Sequence, residues 1–335
     1  MFSSGKDAVN ELLKKRRDGT TTRIGELRQK LGEAETRCGD SASVYATGSF
    51  ARGEASQHSD LDLFIAGQGT PEKPALSRLD EILVKADLIE ATRELRIPDF
   101  SGDGQYLIHY TSEELVGTLG QPEDDARNTF TARLLLLLES SPLLGATGYK
   151  YITDQVISAY WRDYEDHKND FMPAFLTNDI LRMWRTFCVN YEARTRTEPA
   201  EQKAKRKLKN YKLKHSRLLT CYSALFYLLA IYSKQHTVGP NDAVAMIGLT
   251  PTLRLEWLLA QADLASAHAK VEKLLTFYEE FLKVTDASEK DLVQWFLDKQ
   301  LSKKYMESAY QFGDVVSEVL DLIGNKNRFY RLLVV

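Results

Sequence analysis

Residues 47 to 62 read Thr-Gly-Ser-Phe-Ala-Arg-Gly-Glu-Ala-Ser-Gln-His-Ser-Asp-Leu-Asp. The segment from Asp60 on alternates as a strand does, so Asp60 and Asp62 face one side while Leu61, Leu63 and Ile65 face the core. Two adjacent carboxylates repel each other. Hard divalent cations relieve that repulsion, and oxygen ligands of this kind suit Mg²⁺ or Mn²⁺. Upstream, Gly48 allows close approach to the backbone, and the amides and hydroxyl around Ser49 can hold phosphate oxygens. A phosphate cradle followed by a paired metal site is equipment for moving nucleotidyl groups.

The elements that must position these residues follow. Ser43-Val44-Tyr45-Ala46 reads as a strand entering the cradle, and Leu61 to Ala66 as a second strand leaving the acid pair. The pattern Gly48-Ser49-x-x-Arg52-Gly53 followed by Ser59-Asp60-Leu61-Asp62 resembles the signature of the DNA polymerase β-like nucleotidyltransferase superfamily. A second, weaker likeness concerns residues 128 to 145, which are similar to an element of the uridylyltransferase that modifies nitrogen-regulatory PII proteins. There a strand-to-helix segment ends in an apolar run, a Glu-Ser-Arg-like triplet and a glycine. Glu139-Ser140 and Gly145 fit it; Ser141 and Pro142 stand where that family often has an arginine. Leu134 to Leu138 also read simply as a buried helix, with Arg133 and Glu139 either ordering the site or forming a structural ion pair.

The superfamily resemblance implies a metal-dependent enzyme that takes a nucleoside triphosphate, transfers its nucleotidyl group to an acceptor hydroxyl and releases pyrophosphate. Gly48 and Ser49 then hold the nucleotide's phosphates, and Asp60 and Asp62 are both catalytic and metal ligands. Such enzymes usually carry a third carboxylate. Asp103, Asp124 and Asp125 are the acids at hand, each also readable as a solvated turn residue, and Asp125 is taken as the third catalytic residue. Arg52 reads equally as a phosphate-neutralising cation or a surface arginine. His58 reads as solvent-facing and His109 as packing. Between Lys203 and Arg217 the chain carries eight basic residues and no acid. This run is either a solvated face or a wall for triphosphate or RNA, with Lys209 and Lys212 assigned to the nucleotide. The identity of the acceptor stays open, with RNA and a protein side chain as the two candidates. His-Asp pairs of a phosphohydrolase segment are missing, which separates the chain from the full PII-modifying enzyme. The competing class is a non-catalytic nucleotide-binding module with a degenerate third carboxylate, opposed by the electrostatic cost of idle clustered acids.

At 335 residues the chain exceeds the usual size of a single core. Residues 1–150 carry 18 basic and 24 acidic side chains, the remainder 26 and 23. Mixed strands and helices up to 150 predict an α+β nucleotidyltransferase domain, a small mixed sheet flanked by helices. Residues 151–335 predict an all-helical bundle domain. Two short helices are expected around a break at Gly19-Thr20-Thr21-Thr22, and a helix over 75–94 with Leu76, Leu79, Ile82, Leu83, Ala86 and Leu88 as its apolar stripe. A third strand is expected at Gln105 to Tyr110. Further helices are expected over 252–284, 287–300 and 303–323, with a terminal strand over 329–335. The longest apolar run, Ala224 to Tyr232, is too short to cross a bilayer. Cys38, Cys188 and Cys221 form no paired or zinc pattern and read as reduced thiols of a cytoplasmic protein.

Overall fold

The computed structural model describes residues 6–100, 107–192, 199–325 and 327–334. The chain divides into two compact units, Asn10–Arg162 and the chain from Asp163 on, the latter taking in the residues before Asn10.

The first unit is a small mixed sheet covered by helices. Its elements are α1 (Lys6–Lys30), α2 (Gly32–Cys38), β1 (Ala42–Thr47), α3 (Gly48–Ala51), β2 (Asp62–Gly67), the short pair β3 (Gly69–Thr70) and β4 (Lys73–Pro74), α4 (Arg78–Glu94), β5 (His109–Thr111), α5 (Ser112–Gly117), α6 (Glu123–Ala126), α7 (Thr129–Leu138), β6 (Ser141–Leu144) and α8 (Ala146–Tyr160). The main sheet runs β5-β2-β1-β6. β1 is antiparallel to β2 and to β6, and β2 is parallel to β5. Every residue of β1 is buried, as a central strand with both faces covered must be. Pro142, which lacks a donor, sits on the edge strand β6. The register that matters is Thr47 opposite Asp62. It brings the end of one strand and the start of the next, the cradle and the acid pair, to the same end of the sheet.

α8 packs on β1 at the closest distance two backbones allow: a Cβ on Gly148 would lie 2.5 Å from the Ala42 carbonyl oxygen. Residue 150 falls inside α8. α7 is buried on all sides, as its unbroken apolar run requires. Its one charged residue, Arg133, is fully buried and clasps Asp124, with Nη1 donating to Oδ1 at 3.0 Å. Arg133 also donates to the Leu115 carbonyl at 2.9 Å and from Nε to Tyr160 Oη at 3.1 Å. Burial alone would lower the Arg133 pKa, but the hydrogen bonds to Asp124 and Tyr160 outweigh it and raise it. Asp124 is therefore not a solvated turn residue.

Several expected elements differ. α1 runs unbroken through Gly19 to Thr22 because Thr20 is buried, donating to the Arg16 carbonyl and accepting the Ala55 amide. Tertiary bonding there outweighs the helix-breaking composition. α4 forms where the periodicity places it, yet Leu79, Ile82 and Leu83 are 75%, 53% and 45% exposed, and the buried face is Val84, Leu88 and Ala91. The third strand is only His109–Thr111; of the span expected for it, residues 105–106 lie outside the described residues.

The second unit is helical: α9 (Ala174–Glu192), α10 (Ala200–Lys212), α11 (Leu218–Gln235), α12 (Pro240–Ile247), α13 (Pro251–Leu259), α14 (Ala265–Val284), α15 (Glu289–Leu297), α16 (Lys299–Gly324) and α17 (Arg331–Val334). The expected helix over 252–284 is two helices, parted at a short 3-10 turn over Ala262–Leu264. The expected terminal strand is instead the helical turn α17. α11 is buried almost throughout and forms the hub. A π-helical turn, Leu213–Arg217, joins α10 to α11 and places His215 between the Phe281 and Phe312 rings, at 4.7 and 5.0 Å. Cys38 and Cys221 are buried, and burial pushes each thiol up to about 12. No described helix is long and apolar enough to cross a membrane.

Candidate active site

β1 ends in Thr47, and the chain turns at once into the single helical turn α3. Gly48 makes that turn with φ +66°, a conformation that costs an L side chain. It is also crowded: a Cβ there would lie 2.6 Å from Asp62 Oδ2. Asp62, the first residue of β2, thus fills the space that a side chain at position 48 would need. Ser49 is partly exposed, and its carbonyl accepts the Glu54 amide at 2.8 Å, closing the turn.

A third carboxylate reaches the Gly48 backbone. Glu139 terminates α7 with a fully buried side chain. Its Oε1 accepts the Gly48 amide at 3.2 Å and its Oε2 accepts Arg52 Nη1 at 3.0 Å. Arg52 in turn donates from Nε to Glu54 Oε2 at 2.8 Å. Arg52, which the sequence leaves as either a phosphate contact or a surface arginine, is 7% exposed and clamps two carboxylates within the protein. The signal for Glu139 was its place directly after five leucines, since a charge that ends a buried helix must find a partner.

α1 secures the other side of the loop. Thr20 Oγ1 accepts the Ala55 amide at 3.0 Å, and Arg23 donates from Nη1 to the Ser56 carbonyl while its guanidinium lies 4.7 Å over the Phe50 ring. A Cβ on Gly53 would meet Arg17 Cγ at 3.1 Å. Ser59 Oγ accepts the Ser56 amide at 2.9 Å, which tightens the approach to the acid pair. His58 is exposed. Asp60 and Asp62 are both partly exposed, and Leu61 between them is 2% exposed, the alternation expected of strand-like backbone.

The remaining expected site residues are Asp125, Asp103, Lys209 and Lys212. Asp125 is exposed on α6, beside the buried Asp124, and α6 packs on α7. Asp103 lies outside the described residues. Lys209 and Lys212 are exposed on α10 of the helical unit. His109 is packed rather than open, its Nδ1 3.5 Å from Glu81, and burial lowers its pKa more than Glu81 raises it.

Among the described residues no group of three or more His, Cys, Asp or Glu side chains gathers as a metal site. The pair Asp60 and Asp62 nonetheless suits Mg²⁺, which characteristically takes one or two carboxylates and completes its shell with water and substrate phosphates. Asp62 Oδ2 lies beside the Gly48 turn, in the space that a side chain there would take.

Residues 24–111 match the family model described as the nucleotidyltransferase domain. The N-terminal part of the chain is a nucleotidyltransferase domain. The match is consistent with the DNA polymerase β-like superfamily. It runs from α1 to β5 and contains the cradle and both aspartates, whereas Glu139 lies beyond it. Comparison with curated proteins and with solved structures finds no match. In this nucleotidyltransferase domain the antiparallel pair β1–β2 delivers the cradle and the acids, α1 braces the loop between them, and Glu139 holds the cradle from the far side.

Proposed function

We propose that the protein transfers a nucleoside monophosphate from a nucleoside triphosphate to an acceptor hydroxyl and releases pyrophosphate. The observation that carries this reading is that Asp62 Oδ2 fills the space a Cβ at Gly48 would need, within a segment that matches the nucleotidyltransferase domain. In this reading the residues 1–150 form the catalytic domain and 151–335 a helical bundle domain.

The chemistry divides among the residues as follows. Ser49 and the backbone of α3 hold the β- and γ-phosphates, with Gly48 supplying the room. Asp60 and Asp62 would hold Mg²⁺ or Mn²⁺. Bound there, divalent cations neutralise phosphate charge and orient the attacking and leaving oxygens. The acceptor oxygen forms a bond to the α-phosphorus, and the bond to the bridging oxygen breaks, so that pyrophosphate leaves with that electron pair. Asp125 is assigned to take the acceptor's proton, because its neighbour Asp124 is committed to Arg133. Arg52 contributes through Glu139, by keeping the cradle in place, rather than as a free cation. Lys209 and Lys212 are assigned to the nucleotide as a basic wall.

The test is incubation with each α-³²P-labelled NTP and Mg²⁺ or Mn²⁺, against total RNA and against a protein lysate. Label is expected in one pool, and the substitution Asp60→Ala should lower the rate on the order of 10³-fold. Label that persists at full rate in Asp60→Ala/Asp62→Ala protein would overturn the reading.

A further inference from the structure

Asp60 and Asp62 are held by different means. Asp62 opens β2 and is fixed in the sheet opposite Thr47. Asp60 comes before the ladder begins, and its carboxylate has no hydrogen-bond or ion-pair partner among the described residues. Its place is therefore set by its neighbours in the chain. Leu61, on one side, is buried. On the other side stands the turn over residues 56–59.

That turn is closed on itself. The Ser59 amide donates to the Ser56 carbonyl at 3.1 Å, Ser59 Oγ accepts the Ser56 amide at 2.9 Å, and Ser56 Oγ accepts the His58 amide at 3.1 Å. Serine side chains that bond the backbone around them stiffen a turn, so it shifts as one piece. Among the described residues, the one side chain that bonds to it from outside is Arg23 of α1, whose Nη1 donates to the Ser56 carbonyl. The same guanidinium lies 4.7 Å over the ring of Phe50 in α3, and that ring is buried. A planar guanidinium can stack on a ring and donate from its edge at once. Arg23 thus touches both halves of the motif, the cradle helix and the turn that delivers Asp60.

We propose that Arg23 is a positioning residue for the metal site: by fixing the turn over residues 56–59 it sets where Asp60 stands relative to Asp62, and so the affinity of the pair for Mg²⁺ or Mn²⁺. The proposal rests on the nucleotidyl-transfer reading for the identity of the acid pair as metal ligands. Groups behind a metal ligand orient it, and losing one typically weakens metal binding about 10- to 100-fold. Charge alone acts in the opposite direction. A nearby cation repels a divalent ion, so removing the charge of Arg23 without moving Asp60 would tighten metal binding or leave it unchanged. The sign of the effect therefore separates positioning from electrostatics.

The test is Mn²⁺ binding to the full-length protein, read by electron paramagnetic resonance of the free ion, with neither nucleotide nor acceptor present. Native protein is expected to bind Mn²⁺ and Asp60→Ala/Asp62→Ala protein to lose it. Arg23→Met, which keeps an apolar stem over Phe50, should weaken binding about tenfold. Arg23→Lys keeps the charge without the planar fork and should recover only part of the loss. Ser59→Ala opens the turn from within and should also weaken binding, which keeps the proposal testable should Arg23→Met fail to fold. Arg28→Met is the control. Arg28 also stands on α1 and donates to backbone carbonyls, those of Pro142 and Leu143, so its loss should cost stability and leave Mn²⁺ affinity native. Native or tighter Mn²⁺ binding in folded Arg23→Met or Ser59→Ala protein, or equal weakening in Arg28→Met, would overturn the proposal alone. Native protein that binds no Mn²⁺, or binding that survives in Asp60→Ala/Asp62→Ala, would overturn the nucleotidyl-transfer reading of the acid pair along with it.

Discussion

At position 48 the backbone runs at φ +66°, with Asp62 on one side and Glu139 accepting its amide on the other. Gly48→Ala must therefore strain the backbone by about 1 kcal/mol and push Asp62 aside. Turnover is expected to fall on the order of 10²-fold, a displacement effect at the reacting centre, while circular dichroism at room temperature stays native. Retained activity would show that Asp62 can move freely. Glu139 separates two roles. Glu139→Ala removes the acceptor of the Gly48 amide and leaves Arg52 with one carboxylate, at a cost of about 3 kcal/mol in urea unfolding. Glu139→Gln keeps an oxygen for the amide, so it should recover the KM for NTP more fully than the stability. A KM equal to native in Glu139→Ala would reduce Glu139 to a structural anchor. The acid pair and the Gly-Ser cradle were legible in the sequence because their spacing is local. Glu139 was legible as a candidate for ordering the site, but its partners and the inward turn of Arg52 were not, because a partner 87 or 91 residues away leaves no mark in spacing.

α7 shows the same division among elements. Its burial was readable from five consecutive leucines, and β1 and β2 from their alternation into and out of the loop. The continuity of α1 was hidden, since Thr20 is helix-compatible only once Ala55 donates to it. The buried face of α4 was misjudged because Leu79, Ile82 and Leu83 satisfy helical spacing while facing outward. β6 was missed on account of Pro142, which only an edge strand accommodates. The internal pair of α7 gives a test at this scale. Arg133→Met strands Asp124 without its counter-charge and should cost about 3–5 kcal/mol of stability. The double substitution Arg133→Met/Asp124→Asn should regain a measurable part of it. Equal unfolding midpoints for the single and double variants would show that the two groups do not depend on each other.

Across the whole molecule, pH acts through groups that folding withdraws from water. His215 is buried, held by the Tyr211 carbonyl at 2.9 Å, and burial lowers its pKa to about 4. An unfolded chain protonates this side chain near its ordinary value, so the unfolded state binds more protons between those limits. Its contribution to stability is complete above about pH 6.5 and is lost as pH falls toward about 4, by about 1.4 kcal/mol per pH unit within that window. His215→Gln should flatten the fall in urea midpoint between neutral and mildly acid conditions; an identical fall in both proteins would exclude His215 as its source. The bond between Gly48 and Glu139 has a consequence in time as well as in space. β1 and β2 are near neighbours along the chain and can pair early, whereas contacts between distant residues form late because closing a long loop is entropically slow. A growing chain on the ribosome can thus assemble the hairpin that bears both aspartates well before Glu139 has been synthesised. The cradle receives its last restraint only when α7 arrives, which delays competence for nucleotide until most of the first unit has been made.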